Sequence, residues 1–331
     1  MKANIIPMSE AYKGKLTAYL KQKFPLYTDT YIDYDVKESI GDQKNGTESL
    51  IVVNEEDNIV GCHLCFITKA WIKGEERRVV WGHNTYLDED YRRIIGMDLI
   101  LEMAAIKNGF GYGLTDINYK IQKLIKSTIF INGLRKYYKT NPWYLWGLIL
   151  KISKIKPKIP TVLQTTIQIK DEIFHLCKNS EEIDIPNEGY WNKEICEVDF
   201  IRDNEFLNKR FFCNTVNKYF VYTNSISNCY FVVRPILHNG ILCLQISDLR
   251  YHHSQSYMAK LIFHAIDKIC RNIHAGAILF TTSDKNIRNL FIGNKFCKSY
   301  PVAFVCGKKD VTSENAYIIV NAADSDDEFH K

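Results

Sequence analysis

Apolar residues recur along this chain with two spacings, one typical of helices and one typical of strands. Residues 9–24 place apolar side chains at helical spacing and predict a first helix. Residues 49–87 contain three apolar runs separated by polar turns at 54–58 and 73–76, which predicts an antiparallel meander. A basic turn at 88–96 and an apolar-faced helix follow. Helices joined to a mostly antiparallel sheet predict an α+β domain.

The second half of the chain repeats this order of elements. Its predicted elements are strands at 218–224, 229–237 and 241–249, a long helix at 257–273, a strand at 276–282, a helix at 285–296, and closing strands at 301–307 and 316–322. Strand, long helix, strand and helix follow one another in residues 79–140 as well, so an internal repeat is predicted. We expect two α+β domains, 1–140 and 166–331.

Residues 141–165 interrupt the pattern and are predicted to connect the domains. The segment begins with Asn-Pro, continues as an apolar run, and then becomes rich in Lys and Pro. Two interpretations stay open, a short helix packed in the domain interface and a helix lying on a membrane surface. On the second, residues 143–158 make a peripheral membrane contact, with aromatic side chains at headgroup level and lysines facing anionic lipid. Those side chains are Trp143, Tyr144, Trp146, Lys151, Lys154, Lys156 and Lys158.

Residues 79–116 combine a strand, the basic turn, a helix and a second short strand. Gly96 stands just before the predicted helix, and glycine at such a turn lets the backbone approach a ligand closely. A helix start offers unpaired N–H groups and a partial positive charge, which suit a pyrophosphate. Arg92 and Arg93 add direct charge for phosphate oxygens. The segment therefore predicts a site for a cofactor that contains a diphosphate.

This segment resembles motif A of the GNAT superfamily of acyl-CoA-dependent acyltransferases, whose pyrophosphate loop reads Arg/Gln-x-x-Gly-x-Gly/Ala. Arg93 and Gly96 match that pattern, whereas Asp98 stands where the second small residue is expected. The resemblance covers residues 1–140 and implies two GNAT-like domains, each with a mostly antiparallel central sheet flanked by helices. It also implies acetyl-CoA or another acyl-CoA as co-substrate, and no metal. The equivalent turn of the second copy, residues 248–260, lacks glycine and Arg-x-x-Gly, so we expect that copy to be degenerate.

The resemblance extends beyond the phosphate turn. A strand is predicted at 112–117 and a helix at 119–128, so Asn118 matches the Asn that ends the corresponding strand in the superfamily. Asn118 is expected to hydrogen-bond CoA or to support the splayed strands, and a helix N-cap is the other interpretation. Phe130 fits the Gly-Phe pair of the superfamily, but Ile129 replaces its Gly. Ile125 stands near the position where many members have a Tyr as the acid, so no acid is assigned.

Acyl transfer to an amine needs a base that takes a proton from the ammonium. In the superfamily this base lies on the strand before the phosphate turn, or one strand earlier. His83 is the candidate, because an unperturbed imidazole titrates near neutral pH. A hydrogen-bonded core histidine is the other interpretation. Asp88 and Glu89 are rivals that also suit a solvated turn and a helix cap.

Composition and charge exclude some other classes of protein. With 331 residues, 46% hydrophobic and 24% charged, the chain is typical of a globular protein of about two domains. A net charge of +5 is compatible with anionic partners such as CoA, but no basic stripe indicates nucleic acid. No signal-peptide pattern or spanning apolar stretch is visible, which predicts a cytoplasmic protein with its ten cysteines reduced. The acidic run at 324–328 predicts a solvated tail.

A metal site is not predicted. Cys62 and Cys65 flank His63, but residues at an odd separation in a strand point to opposite faces. No second ligand pair stands at zinc-finger spacing.

The resemblance implies an acyl-CoA-dependent N-acyltransferase. The expected acceptor is the amino group of an amino sugar or a related small metabolite in surface-polysaccharide biosynthesis. Two alternatives stay open. One is a non-catalytic binding protein on a degenerate GNAT scaffold. The other is a Fem-type aminoacyltransferase, which pairs two GNAT-like domains but carries a long charged coiled coil that is not visible in this sequence.

Overall fold

The computed structural model describes residues 2–41, 47–112, 116–224, 226, 228–306 and 316–324, without the side chains of 112, 117, 118, 131–133 and 303–306. The chain divides into two compact units. The first comprises Met1–Phe130 and Ala303–Ala316, and the second comprises Ile131–Val302 and Tyr317–Phe329. Residues 141–165, predicted as a connector, belong to the second unit, so the predicted limits at 140 and 165 do not coincide with this division.

The first unit is a sheet with helices packed on it. Its elements, in chain order, are β1 (Ala3–Pro7), α1 (Lys13–Lys23), α2 (Asp29–Ile40), β2 (Leu50–Asn54), β3 (Ile59–Ile72), β4 (Glu75–Leu87), α3 (Glu89–Ala105), β5 (Gly109–Tyr112), α4 (Asp116–Leu124) and the start of β6 (Thr128–Thr140). The strands lie in the order β1-β2-β3-β4-β5, and all neighbours are antiparallel except β4 and β5. The core forms where apolar residues of α1 and α2, such as Leu20 and Ile32, pack on Ile51 and Leu64 of the meander.

The second unit follows the same plan. Its elements are the rest of β6, α5 (Trp143–Ile152), β7 (Thr166–Ile169), β8 (Glu172–Leu176), β9 (Val198–Phe200), α6 (Asn204–Leu207), β10 (Phe220–Asn224), β11 (Cys229–His238), β12 (Ile241–Tyr251), α7 (Tyr257–Asn272), β13 (Ala277–Thr282), α8 (Lys285–Phe291) and the start of β14 (Cys297–Cys306). The strand order is β6-β13-β12-β11-β10-β8-β7. Helix α7 buries the stripe Met258, Ile262, Ile266 and Ile269 against this sheet. The end of β14 pairs with β5 in the first unit.

Each unit contains a bulged strand that lies between an antiparallel and a parallel neighbour. In the first unit, β4 pairs antiparallel with β3 and parallel with β5, and its register shifts at Asn84 and Thr85. In the second unit, β12 pairs antiparallel with β11 and parallel with β13, and its register shifts at Ser247. Parallel pairing ends at Gly82 and at Ile246, although the bulged strands continue to the starts of the turns before α3 and α7. This repetition confirms the predicted α+β class and the tandem arrangement.

The predicted turn at 88–96 is wrong, because α3 already begins at Glu89. The apolar stripe of the helix includes Tyr91 and Ile95 as well as Leu99, all of which contact one cluster. Acidic residues in the first turn of α3 also suit the positive end of the helix dipole. The helical period therefore extends through the segment that the sequence indicated as a turn.

Three further differences between the predicted and the observed elements concern β5, the segment 316–322 and α2. The strand predicted at 112–117 is β5, at Gly109–Tyr112, and α4 starts at Asp116. The closing strand predicted at 316–322 forms only isolated bridges, Val198 with Ile318 and Thr282 with Asn321. Helix α2 was not predicted. Thr28 caps it, because its hydroxyl accepts a hydrogen bond from the Tyr31 N–H.

Candidate active site of the first unit

His83 lies on β4 and forms a buried pair with Asp35 of α2. His83 Nε2 is 2.5 Å from Asp35 Oδ1, and the two side chains are 3% and 4% exposed. The pair is buried, so water does not compete for this hydrogen bond. The carboxylate therefore fixes the orientation of the imidazole ring. The arrangement is that of a base, the imidazole, whose orientation is held by a carboxylate.

The bulge of β4 brings two consecutive residues to the same carboxylate. Asn84 has a positive φ of 42°, and its Nδ2 donates to Asp35 Oδ2 at 2.8 Å. The same amide donates to the Tyr31 hydroxyl at 3.0 Å and accepts from the Tyr27 hydroxyl at 3.1 Å. In a regular strand, neighbouring side chains point to opposite faces, so the bulge is what allows His83 and Asn84 to share Asp35.

His63 of β3 lies opposite the bulge and is also buried. Its Nδ1 is 2.7 Å from Thr85 Oγ1, and its ring lies against Gly82, where a Cβ would come within 2.6 Å of His63 Cε1. Burial and, to a smaller extent, the charge of His83 lower the pKa of His63 to about 3. His63 is therefore a neutral neighbour of His83 at neutral pH.

We expect His63 to make the protein less stable as the pH falls from 7 to 5. The pKa of an unfolded histidine is near 6.5, whereas the pKa of folded His63 is about 3. Between these values the unfolded chain binds a proton that the folded chain does not, so the free energy of unfolding decreases as pH falls. At pH 5 this residue should lower the free energy of unfolding by about 2 kcal/mol. Urea unfolding at pH 7 and at pH 5 measures the decrease in the free energy of unfolding. In His63→Gln this decrease should be smaller by about 2 kcal/mol than in the wild type.

His175 provides the control for this prediction. It is exposed on β8, so His175→Gln should leave the pH dependence unchanged. An unchanged pH dependence in His63→Gln would contradict the assignment to His63.

The rival carboxylates of the turn have other contacts. Asp88 Oδ1 is 2.8 Å from Lys23 Nζ and accepts from the Tyr19 hydroxyl at 3.0 Å. Glu89 is exposed at the start of α3, near Arg92. Neither contacts His83 or Asp35 in the described part of the chain, which leaves the buried pair as the stronger candidate for proton transfer.

The residues predicted to bind a diphosphate lie on α3 rather than in a loop. Arg92 points back to the sheet, where its Nε donates to the Leu87 carbonyl at 3.0 Å. Arg93 is exposed, and no described residue forms an ion pair with it. Gly96 is inside the helix, and a Cβ there would meet only Leu87 Cδ2, at 3.6 Å. The backbone N–H groups of residues 93–96 are thus bonded within the helix, so hydrogen bonds to a phosphate at this segment would come from side chains.

Asn118 lies in the first turns of α4, and its side chain is outside the described residues. The prediction that Asn118 ends a strand is wrong, because β5 ends at Tyr112. Its predicted contact with a cofactor stays a prediction.

Sequence reasoning missed Asp35. This carboxylate lies on the buried face of α2 among Tyr31, Ile32, Val36 and Ser39. A charged residue on the apolar stripe of a helix is the signal that could have identified it, because such a group is buried only with a partner.

Cys62 and Cys65 are not candidates for nucleophiles. Burial raises the pKa of the thiols of Cys62 and Cys65 well above the usual range, so both stay protonated at neutral pH. Among the described residues, no group of three His, Cys, Asp or Glu side chains is placed to hold a metal ion.

In the second unit, residues 317–324 lie beside the bulged strand. The Ser283 N–H donates to the Val320 carbonyl at 3.0 Å, and the Val320 N–H donates to Ser283 Oγ at 2.7 Å. Asn321 Nδ2 donates to Asp248 Oδ1 at 2.7 Å and to the Leu249 carbonyl at 3.1 Å. This segment therefore links the end of β13 to β12.

A buried ionic cluster surrounds the same bulge. Arg202 donates from Nε to Asp248 Oδ2 and from Nη2 to Asp324 Oδ1, each at 2.6 Å. Arg250 Nη1 donates to Asp248 Oδ1 at 3.1 Å. All four side chains are at most 1% exposed. Asp324 is therefore part of the interior and not of a solvated tail, whereas the rest of the predicted tail, 325–328, lies outside the described residues.

Comparisons with known proteins identify the fold. No family model matches the sequence, and no curated protein matches it either. Among solved structures, a GCN5-related N-acetyltransferase from Kribbella flavida is 10% identical, with a TM-score of 0.58 over 92% of this chain and 70% of that chain. Saccharomyces cerevisiae N-myristoyltransferase with bound myristoyl-CoA is 11% identical, with a TM-score of 0.56 over 96% of this chain and 88% of that chain. A probable N-acyltransferase from Enterococcus faecalis V583 is 9% identical, with a TM-score of 0.53 over 93% and 73%. These alignments cover most of both units, so the chain has the GNAT fold.

Proposed function

We propose that this chain is an acyl-CoA-dependent N-acyltransferase whose reaction takes place in the first unit. The observation that carries the proposal is the buried pair of His83 and Asp35 at the bulge of β4. It places a base beside the point where β4 and β5 stop pairing, at Gly82 and Gly111. The fold supports the choice of acyl-CoA, since one structural neighbour contains bound myristoyl-CoA.

In the proposed reaction, His83 accepts one proton from the acceptor ammonium. The neutral amine nitrogen then forms a bond to the thioester carbonyl carbon, and the bond from that carbon to sulfur breaks. The CoA thiolate leaves, and the second proton lost by the nitrogen neutralises it. Asp35 holds Nε2 of the imidazole, so the proton transfer uses Nδ1, a buried atom that the acceptor reaches only when the side chains around it move. Asp35 is in this scheme a positioning residue.

Arg92, Arg93, Gly96 and Asn118 are proposed to contact the CoA. Arg93 is an exposed cation on the first turns of α3, which suits a pyrophosphate oxygen. Gly96 supports this proposal because packing does not require a glycine there, whereas a glycine inside a helix destabilises it by about 0.5–1 kcal/mol. Close approach of a ligand to the helix backbone would explain why the glycine is present.

The acceptor is proposed to be a small amine, in particular an amino sugar used in surface-polysaccharide biosynthesis in the cytoplasm. Aromatic groups around the base support a sugar. The ring centroid of Phe66 is 5.3 Å from that of His83, and the hydroxyls of Tyr27 and Tyr31 reach Asn84. Aromatic faces and phenolic hydroxyls together suit the apolar and polar faces of a sugar ring.

The test is thermal stabilisation of the purified protein by a panel of acyl-CoAs, with free CoA and ATP as controls. A ligand at about 100 times its dissociation constant should stabilise the folded state by about 2.7 kcal/mol. Arg93→Ala should reduce the stabilisation. Gly96→Ala should raise the stability of the free protein by about 0.5–1 kcal/mol and also weaken acyl-CoA binding, since a methyl group would stand between ligand and backbone.

Arg271→Ala is the matched control, because Arg271 is an exposed arginine of the second unit. It should leave the acyl-CoA response unchanged. No stabilisation by any acyl-CoA would contradict the proposal and favour a non-catalytic binding protein. If acyl-CoA bound normally to both Arg93→Ala and Gly96→Ala, the proposed diphosphate contacts would be wrong, but the proposed activity would not be contradicted.

A further inference from the structure

Helix α5 is apolar on two opposite faces. One face, formed by Tyr144, Gly147 and Leu148, packs on the sheet of the second unit. The helix lies close to the sheet, since a Cβ at Gly147 would come within 2.8 Å of Ile241 Cγ2. This contact fixes the orientation of α5 and so determines which residues lie on its other face.

The other face of α5 is exposed. Its large apolar side chains have exposed fractions of 68% for Leu145, 53% for Trp146, 51% for Ile149 and 81% for Ile152. Their spacing follows the helical period, so they form one continuous stripe. Three more exposed apolar residues follow the helix, Ile155, Ile159 and Val162. A contiguous exposed apolar surface of this kind indicates a binding surface.

The charged residues of the segment 141–165 all have one sign. Lys151, Lys154, Lys156 and Lys158 are exposed, and residues 141–165 contain no Asp or Glu. In the part of the chain that the structure describes, none of these lysines forms an ion pair. The surface therefore combines apolar side chains, a tryptophan and exposed lysines.

We propose that this surface, called here the α5 face and defined by Leu145, Trp146, Ile149, Ile152, Lys154, Lys156 and Lys158, binds the surface of a bilayer that contains anionic phospholipid. Apolar side chains enter the boundary between headgroups and acyl chains, tryptophan favours the interface, and lysines contact anionic headgroups. The lysines of this segment, which contains no acidic residue, favour a lipid surface over an apolar protein interface. None of the described helices has both the length and the hydropathy to cross a bilayer.

The experiment is cosedimentation of the full chain with vesicles of phosphatidylcholine alone and of phosphatidylcholine with 30% phosphatidylglycerol. We expect binding to the anionic vesicles, about tenfold weaker binding to the neutral ones, and weaker binding in high salt. Tryptophan fluorescence gives a second readout. On binding, the surroundings of Trp146 should become less polar, so its emission should shift to the blue. Trp81 and Trp191 are already fully buried, so their emission should not change.

Two pairs of variants separate the apolar contribution from the charge. Leu145→Gln with Ile149→Gln should reduce binding at least about tenfold. Its matched control changes one exposed leucine and one exposed isoleucine elsewhere, Leu26→Gln with Ile226→Gln, and should bind normally. Replacing Lys154, Lys156 and Lys158 of the α5 face by Gln should remove the preference for anionic vesicles. Its control neutralises three exposed lysines elsewhere, Lys107, Lys120 and Lys260, with the same change in net charge.

The outcomes are distinct. Absence of vesicle binding, or equal loss in the α5 variants and their controls, would overturn the proposal. A dimer in solution that dissociates in Leu145→Gln with Ile149→Gln, without any vesicle binding, would assign the face to a second copy and also overturn it. The proposal does not depend on the transferase activity, since the vesicle experiment contains no acyl-CoA.

Discussion

His83→Gln is expected to lower kcat for amine acylation by about 100- to 10,000-fold, the range typical of losing a general base. Glutamine can still hydrogen-bond to Asp35, so the buried pair keeps a polar contact, but the amide does not accept a proton at neutral pH. Initial rates with the acyl-CoA identified by thermal stabilisation measure the effect. The acyl-CoA dissociation constant should change little, because His83 contacts the reacting amine and not the CoA in the proposed scheme.

His63→Gln is the matched control for this experiment. His63 is a buried histidine on the adjacent strand, and burial keeps it neutral. It should retain kcat within about threefold, since the expected loss in His83→Gln comes from proton transfer. Equal losses in both variants would indicate damage to the packing of β3 and β4 and would contradict a catalytic role for His83.

Asp35→Asn distinguishes positioning from chemistry. Asparagine can occupy the same volume, but it presents an amide to His83 and removes the buried charge. We expect a smaller loss of kcat than in His83→Gln and an altered pH–rate profile, since the charge that faces the imidazole is gone. A kcat and a pH–rate profile both equal to wild type would show that Asp35 only packs.

Arg202→Met is expected to lower the free energy of unfolding by about 3–5 kcal/mol, the cost of breaking a buried ion pair. Arg202 joins Asp248 and Asp324, and the Tyr230 hydroxyl donates to Asp248 Oδ2 at 2.7 Å. Burial by itself would raise the pKa of Asp248, but the charges of Arg202 and Arg250 outweigh it and lower the pKa to about 2. Removing Arg202 leaves a carboxylate charge in the interior without its main partner.

Guanidinium chloride unfolding measures this loss, with Arg271→Met as the control. Arg271 also faces an aspartate, at 3.4 Å, but its side chain is 61% exposed. Exposed pairs contribute little, so the control should change the free energy of unfolding by less than about 1 kcal/mol. Similar small effects in both variants would contradict a structural role for the cluster. If Arg202→Met does not accumulate as folded protein, Arg202→Lys, which keeps the charge but loses the two-sided contact, gives a smaller loss that can be measured.

The apolar pattern was sufficient to predict α1, the meander β2–β4, and most elements from β10 to α8, because those segments follow a strand or helix period without interruption. It was insufficient where a polar residue lies on the buried face. Helix α2 carries Asp35 and Ser39 on its buried side, which weakens the apolar stripe. The segment before α3 contains Arg92 and Arg93, which indicated a turn, although Tyr91 and Ile95 continue the helical stripe.

The candidate site was only half visible in the sequence. His83 could be proposed from its place on the strand before α3, but its partner Asp35 is 48 residues earlier in the chain. Asp324 is likewise far from its partner in the sequence, since Arg202 lies 122 residues earlier. An acidic side chain near the end of the chain is indistinguishable from a solvated one until the fold brings an arginine to it.

The sequence by itself therefore determined the α+β class, the repeated order of strands and helices, and the strand that carries His83. These follow from local spacing, since neighbouring residues in a strand or helix have fixed relative directions. Only the tertiary structure decided that Gly96 lies inside a helix, that Asp35 orients His83, and that residues 317–324 lie beside the second bulge. Pairing of buried charges depends on contacts between distant segments, because a charge is stable in the interior only where the fold supplies its partner.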